Sequence, residues 1–173
     1  MIRFKRLSIV LTSALALSAL GLIGEAAPAS AKTPVPYPAK TVYKVVDKTK
    51  TTYYVDKTQE LASCKILTAG GTCTASKSTA ATRSVQISTG VSREGVTASL
   101  GISSALTVGV AVSCTSPKMS KNQLWRAWAM GTRHKYRVQK TYTPAGRNAK
   151  PNPPTYSGWL YTFDPGRNSF ACG

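Results

Sequence analysis

The feature that most narrows what this chain can fold into is a strict alternation running from Val96 to Thr115. Its even positions include Val96, Leu100, Ile102, Leu106, Val108, Val110, Val112 and Cys114, while every odd position is Thr, Ser, Gly or Ala. Successive side chains of a strand point to opposite faces, so this segment makes one aliphatic face and one uniformly small face. Just upstream, Val85, Ile87 and Val91 alternate with Ser84, Gln86, Ser88 and Gly90, and Arg93-Glu94-Gly95 can turn the chain back. The pattern predicts strands over 83–92 and 96–106, with the aliphatic side on a sandwich core and the small side toward water or a partner.

The rest of the chain follows the same period. Val42 to Val46 and Thr52 to Val55 are rich in Tyr, Val and Thr and flank Asp47-Lys48-Thr49-Lys50, which reads as a hairpin. Trp159 to Phe163 and Ser169 to Cys172 flank a second turn-forming cluster, Asp164-Pro165-Gly166-Arg167-Asn168. Gln123 to Met130 has helical potential, but Trp125, Ala127 and Ala129 also fit a strand. The predicted class is therefore all-β: a small disulfide-stabilised antiparallel sandwich, with a loop rich in Pro and Asn over 144–154. A chain of 173 residues has room for one such core.

Three segments are expected: a signal peptide over 1–31, a proline-rich extended arm over 32–40 and a single β domain over 41–173. Arg3, Lys5 and Arg6 precede an apolar stretch from Leu7 to Ile23, and Ala29-Ser30-Ala31 suits signal peptidase, so export to the extracellular space is expected. In the arm, Pro34, Pro36 and Pro38 favour an extended backbone around Tyr37, which makes Tyr37 a candidate contact residue. All four cysteines lie in the exported part, and an even number outside the cytosol predicts two disulfides. Cys64 with Cys73 is favoured, because Lys65 to Gly71 reads as a hairpin that brings the two thiols together; Cys114 with Cys172 follows. Neither pair has a short metal-ligand spacing and His134 is the one histidine, so neither a metal nor a cofactor is expected.

Charge is lopsided. Residues 32–173 carry 20 Lys and Arg against 5 Asp and Glu, a net +15, and from Gly95 to Phe163 no acidic residue occurs. In Arg133-His134-Lys135-Tyr136-Arg137-Val138, strand periodicity sends Arg133, Lys135 and Arg137 to one face and His134, Tyr136 and Val138 to the other. Such a basic ribbon attracts an anionic surface by long-range steering. Arg133, Lys135, Arg137 and the nearby Lys140 are the candidate partner-binding residues. The expected partner is another secreted protein or an anionic cell-surface component; nucleic acid is not expected for an exported chain without a binding-module signature.

General acid and base chemistry needs titratable groups gathered in a cleft. The exported part offers Asp47, Asp56, Glu60, Glu94, Asp164 and His134, mostly in or beside predicted turns, with no paired carboxylates, nucleophile elbow or phosphate loop. A triad of His134, Asp164 and a serine has nothing in the sequence to orient it. No catalytic residue is assigned, and the chain is expected not to be an enzyme.

Two resemblances extend this reading. The alternation over 83–113 resembles the insertion hairpin of aerolysin-like β-pore-forming toxins, whose strands need about 9 to 11 residues to cross a bilayer. That resemblance implies Val96, Leu100, Ile102, Leu106, Val108 and Val110 as lipid-facing residues of a pore-forming or membrane-active antimicrobial protein. In layout, with its signal, size, extended arm and cysteine-stapled β body, the chain is similar to the small adaptor subunit of actinobacterial umbrella toxin particles. That resemblance implies a non-enzymatic linker between a lectin-bearing subunit and a large repeat-built toxin. The preferred expectation is a secreted binding or assembly protein of this second kind.

Overall fold

The computed structural model describes residues 37–173. The predicted signal peptide and the first part of the predicted arm, 32–36, lie outside the described residues. In chain order the elements are β1 (Lys40–Lys65), β2 (Thr74–Thr82), β3 (Ser84–Val85), α1 (Arg93–Leu100), β4 (Thr107–Thr115), β5 (Leu124–Thr143), β6 (Thr155–Tyr156) and β7 (Leu160–Cys172). A large sheet has the order β1-β5-β7-β3, with β6 also paired to β5, and a small sheet pairs β2 with β4. Every pairing is antiparallel. The all-β sandwich stapled by two disulfides is what the alternation predicts.

β5 is the spine of the large sheet, paired to β1 along one edge and to β7 along the other. Its odd positions Ala127 and Ala129, with Leu61 of β1 and Phe163 of β7, pack against Ala81, Val110 and Val112 of the small sheet. Its even positions Tyr136 and Val138 sit on the opposite face, where Val96 and Leu100 of α1 cover them together with Val45, Val85 and Leu160. Each half of the large sheet is thus covered from one side, and the two covers lie on opposite sides. The fully buried Val96 side chain contributes about 1.5–3 kcal/mol through this contact. Burial pushes the Tyr136 phenol above its ordinary pKa, against a hydrogen bond with Thr162 that pulls it down.

Sequence and structure part at several places. The segment 93–100 is helical, not a strand. Ser92 caps the helix by accepting a hydrogen bond from Gly95 N, Glu94 lies in its first turn, and Gly101 ends it in the left-handed conformation at φ 70°. Val96 and Leu100 are four residues apart, a spacing that shares a face in a helix as well as in a strand, so alternation could not separate the two. The predicted strands over 83–92 and 96–106 are consequently not formed, and the residues named for a membrane hairpin take other places. Val96 and Leu100 cover the sheet, Ile102 is half-buried in a loop, Val108 and Val110 face the sandwich interior, and Leu106 is exposed just before β4. Over 83–92 only Ser84 and Val85 form a strand, against β7.

Both predicted long hairpins are single strands with bulges. β5 is long enough to pair with residues on either side of Asp47-Lys48 in β1, so the polar cluster bulges out of one ladder instead of reversing the chain. Asp47 (φ 53°) and Tyr53 (φ 56°) take left-handed backbone at the shifts in register. In β7 the ladder runs from Phe170 opposite Ala129 to Pro165 opposite Gly131, and residues 166–169 bulge, with Asn168 at φ 51°. Gly131 lies at that crossing: a Cβ there would overlap the Asp164 carbonyl oxygen and stand 2.7 Å from Pro165 Cα. Gly131→Ala is therefore expected to cost about 2 kcal/mol, as overpacking typically does. A chemical-denaturation midpoint equal to the native one would show that the strands can part freely.

Cys64 is joined to Cys73 with Cα atoms 6.1 Å apart, and Cys114 to Cys172 at 6.4 Å, as predicted. The segment between Cys64 and Cys73 is not a hairpin, however. Ile66 pairs with the backbone of Asn122 and Gln123, and Gly71 bridges Met119, so the connection between β4 and β5 holds the segment that brings the two cysteines together. Two disulfides fit an oxidising compartment.

Candidate functional site

The odd face of β5 beyond the small sheet carries Arg133, Lys135 and Arg137, and no described element covers it. The predicted division between faces holds: Tyr136 and Val138 are buried, while the three cations are partly exposed. Register then places aromatic rings among them. Lys135 lies opposite Tyr161, and Tyr136 opposite Leu160, which brings Trp159 level with Arg137. Tyr156 of β6 lies opposite Gln139, and Tyr54 of β1 opposite Gly131. The result is a row in which rings and cations alternate.

The contacts are close. The Arg133 guanidinium carbon stands 4.2 Å from the Tyr161 ring centroid and 4.9 Å from that of Tyr54. Lys135 Nζ is 4.1 Å from the Trp159 ring, and the Arg137 guanidinium carbon is 4.9 Å from both Trp159 and Tyr156. These separations fall within the range of cation–π attraction, worth about 0.5–1 kcal/mol each at exposed sites. Arg137 is also held by Asp47, with Nε donating to Oδ2 at 2.7 Å. The left-handed bulge residue Asp47 thus fixes one end of the row.

Other acidic groups are engaged elsewhere. Asp164 pairs with Arg83 at 2.6 Å and Glu60 with Arg126 at 3.3 Å. Asp56 accepts from Thr58 and Gln59. Burial raises the Asp56 pKa, but those hydrogen bonds and the charge of Arg133 outweigh it, so the carboxyl titrates below its ordinary value. Among the described residues, neither Arg133 nor Lys135 has a carboxylate within ion-pair distance.

Lys140 does not belong to the row. It stands opposite Tyr43 and Thr155 at an even position, so it faces the side covered by the helix. Lys44 takes its place: it lies opposite Gln139, on the face of the cations, and is exposed. Tyr37 has a side chain that is 52% exposed, and its carbonyl accepts a hydrogen bond from Gly146 N in the loop after β5. Sequence reasoning missed Tyr54, Tyr156, Trp159 and Tyr161. The available signal was the matching period of Trp159, Tyr161 and Phe163 against Arg137, Lys135 and Arg133.

His134 lies at an even position beside Lys48, Lys50, Ser99 and Leu100, which line a cavity of about 280 Å³. Burial lowers its pKa from the ordinary 6.5, the charge of Asp164 raises it and that of Lys50 lowers it further. Asp164 accepts from Arg83 through Oδ1 at 2.6 Å and acts on His134 through its charge. Among the described residues, no group of three or more His, Cys, Asp or Glu is placed to hold a metal ion.

Fold and face together define a small disulfide-stapled β-sandwich with a cation–aromatic row on a bare sheet surface. No protein-family model matches the chain, and neither a curated protein nor a solved structure matches it.

Proposed function

We propose that the protein is an exported, non-catalytic binding protein that attaches an anionic partner to the bare half of its large sheet. The observation that carries this reading is the row Arg133, Lys135 and Arg137, held apart and upright by Tyr161, Trp159 and Tyr156. Long cationic side chains normally lose considerable rotamer freedom on binding, and packing against rings removes part of that cost in advance. The two disulfides and the signal-like N-terminus support an extracellular setting. The layout shared with umbrella toxin adaptors extends the reading to an assembly role within a secreted toxin complex.

Reversing Arg133, Lys135 and Arg137 to Glu is expected to abolish capture of the partner from producer-cell envelopes and culture supernatant. Capture by the native chain should fall in 1 M salt, where the screening length shrinks to about 3 Å. Equal capture by the triple variant, at unchanged thermal stability, would end the reading.

A further inference from the structure

We infer that the cation–aromatic row is a binding site for an acidic polysaccharide, whose carboxylate or sulfate groups sit on the outward edges of Arg133, Lys135 and Arg137. The inference rests on the proposed function above and names the chemistry of its ligand. Alternate residues of a strand are about 6.6–6.8 Å apart, so the three cations spring from regularly spaced positions along one face of β5. An unbranched polymer with a repeating anionic group matches such a line, whereas the acidic patch of a folded protein offers carboxylates on a curved surface. Lys44 widens the positive strip on β1, across Gln139.

The stacking decides how the cations can be used. Tyr54 and Tyr161 flank the Arg133 guanidinium, with ring centroids 4.9 and 4.2 Å from its central carbon. An edge-on guanidinium donates two parallel hydrogen bonds to a carboxylate or sulfate. The same stacking argues against single-stranded nucleic acid, which needs free ring faces for its bases. Trp159 is engaged by both Lys135 and Arg137, and a base stacked there would have to displace a cation. What the rings still offer is partial exposure, 45% for Trp159 and 50% for Tyr156.

The test uses the full exported chain with labelled polygalacturonate and dextran sulfate as probes, and neutral dextran and poly-dT as comparisons. Both acidic polysaccharides are expected to bind with an affinity that falls as salt rises; neutral dextran should not bind, and poly-dT should bind at least tenfold more weakly. Trp159→Ala keeps the charge and removes the ring between two cations, and it should weaken binding at least tenfold, with Trp159→Phe restoring most of the loss. Lys118→Gln, a charge change in the loop between β4 and β5, should leave affinity within twofold. Binding unaffected by Trp159→Ala, or poly-dT bound as tightly as the acidic polysaccharides, would overturn the inference. If neither acidic polysaccharide binds while the triple Glu variant still loses its natural partner, the ligand class falls and the binding face stands; if neither effect is seen, both fall.

Discussion

The Cys114→Ser, Cys172→Ser double variant is expected to lose about 4 kcal/mol of unfolding stability. The bond closes a loop across a sequence separation of 58, and loop-closure entropy removed from the unfolded chain grows with the logarithm of that length. By the same relation, the Cys64–Cys73 bond, with a separation of 9, contributes about 2.6 kcal/mol. Location adds to the difference. Cys114 is a buried member of the core on β4 and Cys172 ends β7, so their bond ties the small sheet to the large one. β2 and β4 pair with each other but with no strand of the large sheet, and their attachment rests on side-chain packing, the two disulfides, the Arg83 junction and hydrogen bonds that Gln59 and Asn168 make to Thr82 and Ala111. Urea unfolding of the two double variants checks the ranking. Equal losses would mean that loop length and the tie between the sheets do not set the ranking.

What was legible in the sequence follows from which contacts are local in period. The division of Arg133, Lys135 and Arg137 from Tyr136 and Val138 needs only that the segment be a strand, and it is correct. The disulfide pairing was legible through the short spacing of Cys64 and Cys73, although the hairpin invoked for it is absent. What failed needed register. Tyr161 and Trp159 reach the cations because residues 166–169 bulge out of β7 and let both halves of that strand pair with β5. Turn-forming residues such as Asp164 to Asn168 do not announce whether they reverse a chain or bulge from it, since both use Gly, Asn and left-handed backbone. Lys140 lies near the cations in sequence, but its even position puts it on the other face of β5. The helix at 93–100 was legible through Ser92, Glu94 and Gly101, whose capping pattern competed with an alternation that fits both structures at Val96 and Leu100.

Asp164→Asn is expected to cost about 3–5 kcal/mol, the usual penalty for stripping the partner from a buried charge. Arg83 is 5% exposed, leaves the small sheet just after Thr82, and its Nε donates to Asp164 Oδ1 at 2.6 Å. Its guanidinium also donates to the Ala105 carbonyl, its backbone N donates to the Leu106 carbonyl, and its own carbonyl accepts from Arg93 at the start of α1. One side chain therefore fastens the ends of both small strands to β7. Asparagine keeps the shape and a hydrogen-bond acceptor but removes the charge, so the guanidinium stays buried without a counter-ion. Replacing both residues with apolar ones, Arg83→Met with Asp164→Leu, should recover part of the loss, because a desolvated ion pair returns little net stability over a well-packed apolar pair. A second readout separates this account from general loosening of the fold. The Asp164 carboxylate raises the His134 pKa, so its removal should move that titration further below 6.5 while the imidazole stays packed against α1. Proton NMR of the one histidine reports this directly. A pKa that rises toward 6.5 would mean the site had opened to water, and an unchanged denaturation midpoint would mean that Arg83 is not held by its charge.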